Sequence, residues 1–212
     1  LRTTAAVAAT AAGLAVAVFV ATGLAAPSDG LKKPPTPQLA NFDIETDAQG
    51  FRQPTSVDWL PDGTILVSER AGKLWAVNPA GVKRLVIDLT GWVAQSRERG
   101  MGTVEVASDF ATSRRVYLSY TYLVDPEHRD GPQAMRLVAI RLNPDGSLAN
   151  PASPQTVILG KDADKPCPPV SNDSDCPPSV NTTHQAGNVI SDRDGTLWVS
   201  YGDSNLPSNP GK

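Results

Sequence analysis

The sequence predicts an all-β chain built from repeated four-stranded meanders, and three observations predict it. Short runs rich in β-branched and aromatic residues are separated by Pro-Asp-Gly, Asp-Gly and Ala-Gly pairs or triplets, the chemistry of tight reversals that need positive φ. The runs T-I-L-V-S-E-R, R-V-Y-L-S-Y-T and T-L-W-V-S-Y-G align on an apolar-x-Val/Leu-Ser core that ends at Ser68, Ser119 and Ser200. The first two copies lie about fifty residues apart, and the third is displaced further by a proline-rich insert carrying both cysteines. A period near fifty with four strands per copy is the pattern of a β-propeller. A plain β-sandwich would give the same apolar runs without the repeat.

Taken in order, residues 53–60 form a first strand, Pro61-Asp62-Gly63 turns, and 64–69 returns. Ala71-Gly72 turns again into 73–78, and Pro79-Ala80-Gly81 leads to a fourth strand over 82–89. The second copy takes 102–107, a loop opening at Ser108-Asp109-Phe110, then 115–122, 135–142 and 155–159. The third begins at His184, with 187–191 and 196–201 as a hairpin about Asp194-Gly195. That makes about ten strands, or two and a half blades. Closed propellers need four to eight, so residues 41–212 are expected to be the N-terminal part of a longer, truncated propeller domain with open edges.

The start of the chain has a different composition. Residues 5–24 are an Ala/Val/Leu run behind Arg2, and Gly23-Leu24-Ala25 is a small-x-small triplet. Residues 1–25 are expected to be an export signal cleaved near Ala25; the alternative is an uncleaved anchor, which would tie the protein to a membrane. Residues 26–40 follow as a proline-rich linker. A formal net charge of -3 without a basic stripe argues against nucleic acid and leaves a small molecule as the expected partner. In an exported chain the close pair Cys167 and Cys176 invites a disulfide. A metal site is the alternative, and it lacks a second cysteine pair or a histidine cluster.

His184 precedes the hairpin, where a loop on a rigid scaffold can aim it into a cleft; a lone histidine there is otherwise structural or simply exposed. The stretch His184-Gln185-Ala186-Gly187, a strand, Asp194-Gly195, a strand and Gly202-Asp203 resembles the signature around the catalytic histidine of the soluble glucose/sorbosone dehydrogenases. Those enzymes are six-bladed β-propellers that use pyrroloquinoline quinone (PQQ). Ala186 stands where that signature has the first of two glycines. Arg97-Glu98-Arg99-Gly100-Met101-Gly102, followed by Ser108-Asp109-Phe110, is similar to a second segment of the same family, with Met101 and Gly102 in place of a leucine pair and Ala107-Ser108 in place of His-Pro.

The resemblance covers roughly 51–205 and implies a partial six-bladed propeller. It implies oxidation of an aldose at its anomeric carbon, with hydride passing to PQQ and then to an external electron acceptor. It assigns the general base to His184 and places Glu98, Arg99, Asp203 and Ser204 beside the cofactor. A solvated charged loop is the alternative for Glu98 and Arg99, and a turn cap for Asp203. The family's Ca²⁺ and the basic part of its quinone pocket are expected from later blades, so no metal ligand is named here. A non-catalytic binding propeller and a lactonase-type propeller hydrolase are the rival functions. Asp192-Arg193-Asp194-Gly195 resembles a calcium loop but has Ile190 where the first ligand belongs, so a turn is expected. Asn172 and Asn181 head glycosylation sequons, and His128 is expected to be solvated.

Overall fold

This computed structural model describes residues 45–165, 167, 175–185 and 187–204. The expected export signal and linker, the sequon at Asn172, Ala186 and Asn205 lie outside the described residues. From Thr46 onward the chain forms one compact unit. Among the described residues, no helix is long and apolar enough to cross a membrane.

The first sheet is a meander of β1 (Pro54–Trp59), β2 (Ile65–Glu69), β3 (Lys73–Val77) and β4 (Lys83–Asp88), paired in that order. The second runs β5 (Met101–Val106), β6 (Arg115–Tyr122), β7 (Gln133–Arg141) and β8 (Thr156–Leu159), with β9 (Pro178–Ser179) added to the start of β7. The hairpin β10 (Val189–Ser191) and β11 (Leu197–Val199) opens a third. This is two blades and the beginning of another, a partial β-propeller. Two local features differ from the expectation. The segment after Asp109 winds into one helical turn, α1 (Phe110–Ser113), with Phe110 buried and Arg114 closing it in the left-handed region at φ 57°. The two-residue strand β9 leaves no periodic trace in the sequence.

The Asp-Gly reversals share one geometry. At Leu60–Thr64, Asn143–Ser147 and Asp192–Thr196 the first and last residues pair, and the Asp carboxylate accepts the N–H two residues on at 2.8–2.9 Å. Only the glycine takes positive φ, +83°, +76° and +87° respectively. These are three-residue loops closed by an Asx contact, not two-residue turns with positive φ at both positions.

Blades meet through their first strands, β1 against β5 and β5 against β10. Period-2 alternation divides each sheet between its two neighbours. In the second sheet Val104, Val116, Leu118, Tyr120, Val138 and Ile140 face the first blade and join Leu66, Leu74, Ala76 and Ile87 in the main core. Tyr117, Leu137 and Ala139 face the third blade and pack on Val189. In β6 residues 116–121 are all buried, polar Ser119 and Thr121 included, because both faces are covered. Where no blade lies alongside, apolar residues stay in water: Val57 and Trp59 on the first blade, Ile190 and Trp198 on the third.

The same polar contact recurs at each seam. Asp58 Oδ2 accepts the Val106 N–H at 2.6 Å, and Glu105 Oε1 accepts the Ser191 N–H at 2.7 Å. In both, a carboxylate on one blade's first strand takes a backbone donor from the next blade's first strand.

Candidate functional site

Three connections end on one rim of the sheets: the loop before β5, the loop before β10 and the segment after β11. They carry Glu98, His184 and Asp203, the first separated from the other two by over eighty residues of sequence. The His184 N–H donates to Glu98 Oε2 at 2.5 Å, and His184 Nδ1 meets Asp203 Oδ1 at 2.9 Å. Glu98 N–H in turn donates to the Thr182 carbonyl at 3.1 Å. The imidazole and the Asp203 carboxyl are about half exposed, 55% and 46%. With the carboxylate ionised and the ring neutral, this contact puts the ring proton on Nδ1 and leaves the lone pair on Nε2, the nitrogen away from Asp203.

Two glycines make the approach possible. A Cβ on Gly202 would sit 1.8 Å from the His184 carbonyl oxygen, and one on Gly187 would sit 1.9 Å from that of Ser200. Backbone passes over backbone here, and no side chain fits between. The rim is also where unusual dihedrals gather. Of the five non-glycine residues at positive φ among the described residues, Arg97 (50°), His184 (54°) and Ser204 (57°) belong to these three segments. Such conformations cost free energy and persist only where surrounding contacts enforce them.

Beside Glu98 lies an open cleft of about 200 Å³, lined by Arg70, Arg97, Glu98, Met101, Ser119 and Gln185 among others. His184 stands next to this cleft and is not part of its lining. Arg97 and Glu98 are exposed. Arg70 is half-buried and donates from Nε to the Arg99 carbonyl at 2.9 Å.

Arg99 and Ser204 are placed differently from Glu98, His184 and Asp203. Arg99 is fully buried, and its guanidinium donates to the carbonyls of Arg129, Ser179 and Asn181 and to the Ser179 hydroxyl. Ser204 is 2% exposed, with its hydroxyl accepting from Gln185 Nε2 at 3.0 Å. Both point beneath the rim and not into the cleft. Sequence reasoning passed over Gln185 and Ser179, both buried. Their one visible signal is position, Gln185 next to the histidine and Ser179 just past the cysteine loop.

Cys167 and Cys176 form a disulfide. It packs with Ala134 and Ala163 against Tyr122 and Val124, just upstream of β9. His128 makes the same kind of contact, Nδ1 to Asp125 Oδ2 at 2.9 Å with its ring 74% exposed, but from a loop that does not border the cleft. Among the described residues, no group of three His, Cys, Asp or Glu could hold a metal ion.

The repeated four-stranded antiparallel sheets place the chain in the β-propeller class. The chain belongs to the glucose/sorbosone dehydrogenase family, whose profile matches residues 51–211. No curated protein matches it. Among solved structures it resembles the PQQ-bound form of aldose sugar dehydrogenase from Streptomyces coelicolor, at 19% identity and a TM-score of 0.52, over 77% of this chain and 42% of that one. It resembles a glucose dehydrogenase at 26% identity and TM-score 0.54, over 77% and 42%. It also resembles the apo form of soluble aldose sugar dehydrogenase from Escherichia coli, at 20% and 0.52, over 79% and 42%. The chain thus spans about two-fifths of the length of these structures. The kind of protein is a sugar-dehydrogenase-type propeller, an oxidoreductase fold.

Proposed function

We propose that the complete protein oxidises an aldose at its anomeric carbon, with His184 as general base and PQQ as hydride acceptor. The observation that carries this is the 2.9 Å contact of His184 Nδ1 with Asp203, which leaves Nε2 free to take the hydroxyl proton. Asp203 fixes the tautomer and balances the imidazolium that forms. Glu98 holds the His184 backbone and borders the cleft where the sugar and cofactor would meet.

The quinone, when bound, accepts the hydride and passes electrons to an external acceptor. A flat anion is supported by the lining: Gly100, Gly102 and Gly187 contribute no side chains, and Arg70 and Arg97 bring two cations against the one acid, Glu98. No calcium ligand is assigned. We further propose that the protein works outside the cytoplasm. The Cys167–Cys176 disulfide supports this, because such bonds persist in oxidising compartments.

The test uses the full-length protein with PQQ, Ca²⁺, an aldose and a dye acceptor. Wild type should reduce the dye, and His184→Gln should lower kcat by at least ~10²-fold, the usual scale for a general base. Undiminished turnover in His184→Gln removes the base from this position. Saturable sugar binding without any turnover in wild type replaces the enzyme with a binding propeller.

A further inference from the structure

Each of the three rim residues is followed in sequence by a buried polar one. Arg99 follows Glu98, Gln185 follows His184 and Ser204 follows Asp203, and all three are at most 3% exposed. Ser179, also fully buried, ties them together. Its hydroxyl accepts from Arg99 Nε at 3.1 Å and donates to Gln185 Oε1 at 2.5 Å. Gln185 Nε2 then donates to Ser204 Oγ at 3.0 Å and to the Thr183 carbonyl at 2.6 Å. Arg99 Nη2 closes on the carbonyls of Ser179 at 2.7 Å and Asn181 at 3.0 Å, and Nη1 on that of Arg129 at 2.8 Å. Asn181 Nδ2 reaches the Ser204 carbonyl at 2.8 Å.

We infer that Arg99, Ser179, Gln185 and Ser204 form a buried positioning network that holds Glu98, His184 and Asp203 in register from below. The inference deepens the function proposed above and rests on it for its kinetic part. The physical argument is one of cost. All four of these Arg99 hydrogen-bond acceptors are uncharged; burial pushes the guanidinium pKa down and the Asp130 charge offsets this only in part, so burying the cation loses solvation that packing alone does not return. An apolar side chain would fill the space with less penalty. What the planar fork adds is direction: it fixes carbonyls of two separate segments, at Arg129 and at Ser179–Asn181, at once. His184 and Ser204 sit at positive φ, a state that relaxes unless neighbours enforce it. Arg99, Gln185 and Ser204 are each joined directly to a rim residue by one peptide bond, so fixing the first restricts where the second can stand.

The experiment compares full-length wild type with Ser179→Ala and Ser179→Thr, with Ser204→Ala as a milder variant should Ser179→Ala not fold. Two readouts are independent of cofactor. One is hydrogen exchange of the His184 amide, which donates to Glu98, with the buried Leu66 and Leu74 amides of the first blade as internal control; the other is the imidazole signal of His184 in histidine-labelled protein. In folded Ser179→Ala, His184 exchange should accelerate about tenfold or more and its ring signal shift or broaden, while exchange in the first blade stays unchanged. In the PQQ-loaded protein kcat should fall about tenfold with the sugar KM nearly constant, as for a misplaced catalytic group, and Ser179→Thr should restore it. Wild-type exchange and ring signal in a folded Ser179→Ala or Ser204→Ala overturn the network as a positioning device. An inactive wild type removes the dehydrogenase proposal while the exchange comparison still decides this one.

Discussion

The two seams between blades solve the same problem with different materials. The first, between β1–β4 and β5–β8, is apolar: seventeen buried residues form one cluster, with Leu66, Leu74, Leu118 and Ile140 at most 1% exposed. The second, between β5–β8 and the hairpin β10–β11, has five such residues in its cluster among the described residues, where the third blade offers two short strands against the four of its neighbour. Polar contacts bridge both seams, Ser56 Oγ to the Val104 carbonyl and Asp58 to the Val106 N–H at the first. At the second, Thr103 Oγ1 donates to the Gly187 carbonyl at 2.7 Å, Ser108 Oγ to the Asp192 carbonyl at 2.6 Å, and Glu105 accepts from Ser191, so polar contacts weigh more there against the smaller apolar cluster. The apolar seam contributes stability without direction, since hydrophobic burial is non-directional. The polar seam gives less burial and more orientation, and the His–Asp pair rises from it. Division of this kind is expected where a site needs its backbone fixed to fractions of an ångström.

The largest effect should come from the apolar seam. Leu118 is fully buried in it, so Leu118→Ala removes methyl groups and leaves a cavity, worth about 3–4 kcal/mol of stability. Chemical denaturation of the full-length protein measures this. Val189→Ala on the second seam should cost well under half as much, because fewer apolar neighbours surround it. Equal losses at the two sites would erase the contrast.

Next comes the rim. Gly202 is not in the left-handed region, so Gly202→Ala strains no dihedral; its whole effect is the collision of a Cβ with the His184 carbonyl. The chain must shift there, and Asp203 and His184 move apart. Turnover is expected to fall on the order of 10²-fold, while the denaturation midpoint moves less than in Leu118→Ala. A drop in stability as large as that of Leu118→Ala, with kcat intact, would mean that the rim supports the fold more than the chemistry.

This contrast also sets what the sequence could disclose. The apolar seam was legible because it repeats: Ser68 and Ser119 end matching runs, and turns such as Pro61-Asp62-Gly63 punctuate them. His184, Glu98 and Asp203 could be picked out because motifs flank them, although their contact across more than eighty residues is a product of blade closure. Arg99 could not be oriented. In Arg97-Glu98-Arg99 two arginines flank one acid, and nothing local says that Arg97 faces water while Arg99 turns under. Tertiary acceptors decide it, and they come from Arg129, Ser179 and Asn181. Strand β9 was hidden for a related reason. Two residues beginning with proline show no alternation, and Pro178–Ser179 is strand only because the start of β7 offers it a partner.

The smallest expected effect tests the carboxylate contact at the polar seam. Burial pushes the Glu105 carboxyl above its ordinary value and the nearby Asp58 charge adds to this, while the Ser191 N–H opposes both. A carboxyl whose folded pKa is raised holds its proton more tightly in the native state than in the unfolded one. Stability from this group is therefore greatest in acid, declines as pH climbs from the ordinary carboxylate value through the raised one, and is flat above it. Glu105→Gln keeps an oxygen for the Ser191 N–H and removes the charge. At neutral pH it should leave stability within a few tenths of a kcal/mol of wild type, a small figure because the group remains partly in water. Melting the two proteins across the acid range should show the wild-type advantage growing as pH falls and vanishing at neutrality. If Glu105→Gln instead weakens the protein at neutral pH by about 1.5 kcal/mol or more, the range of a lost charged hydrogen bond, the seam depends on the negative charge itself. The same exchange at Asp58, against the apolar seam, then separates the contact from its surroundings.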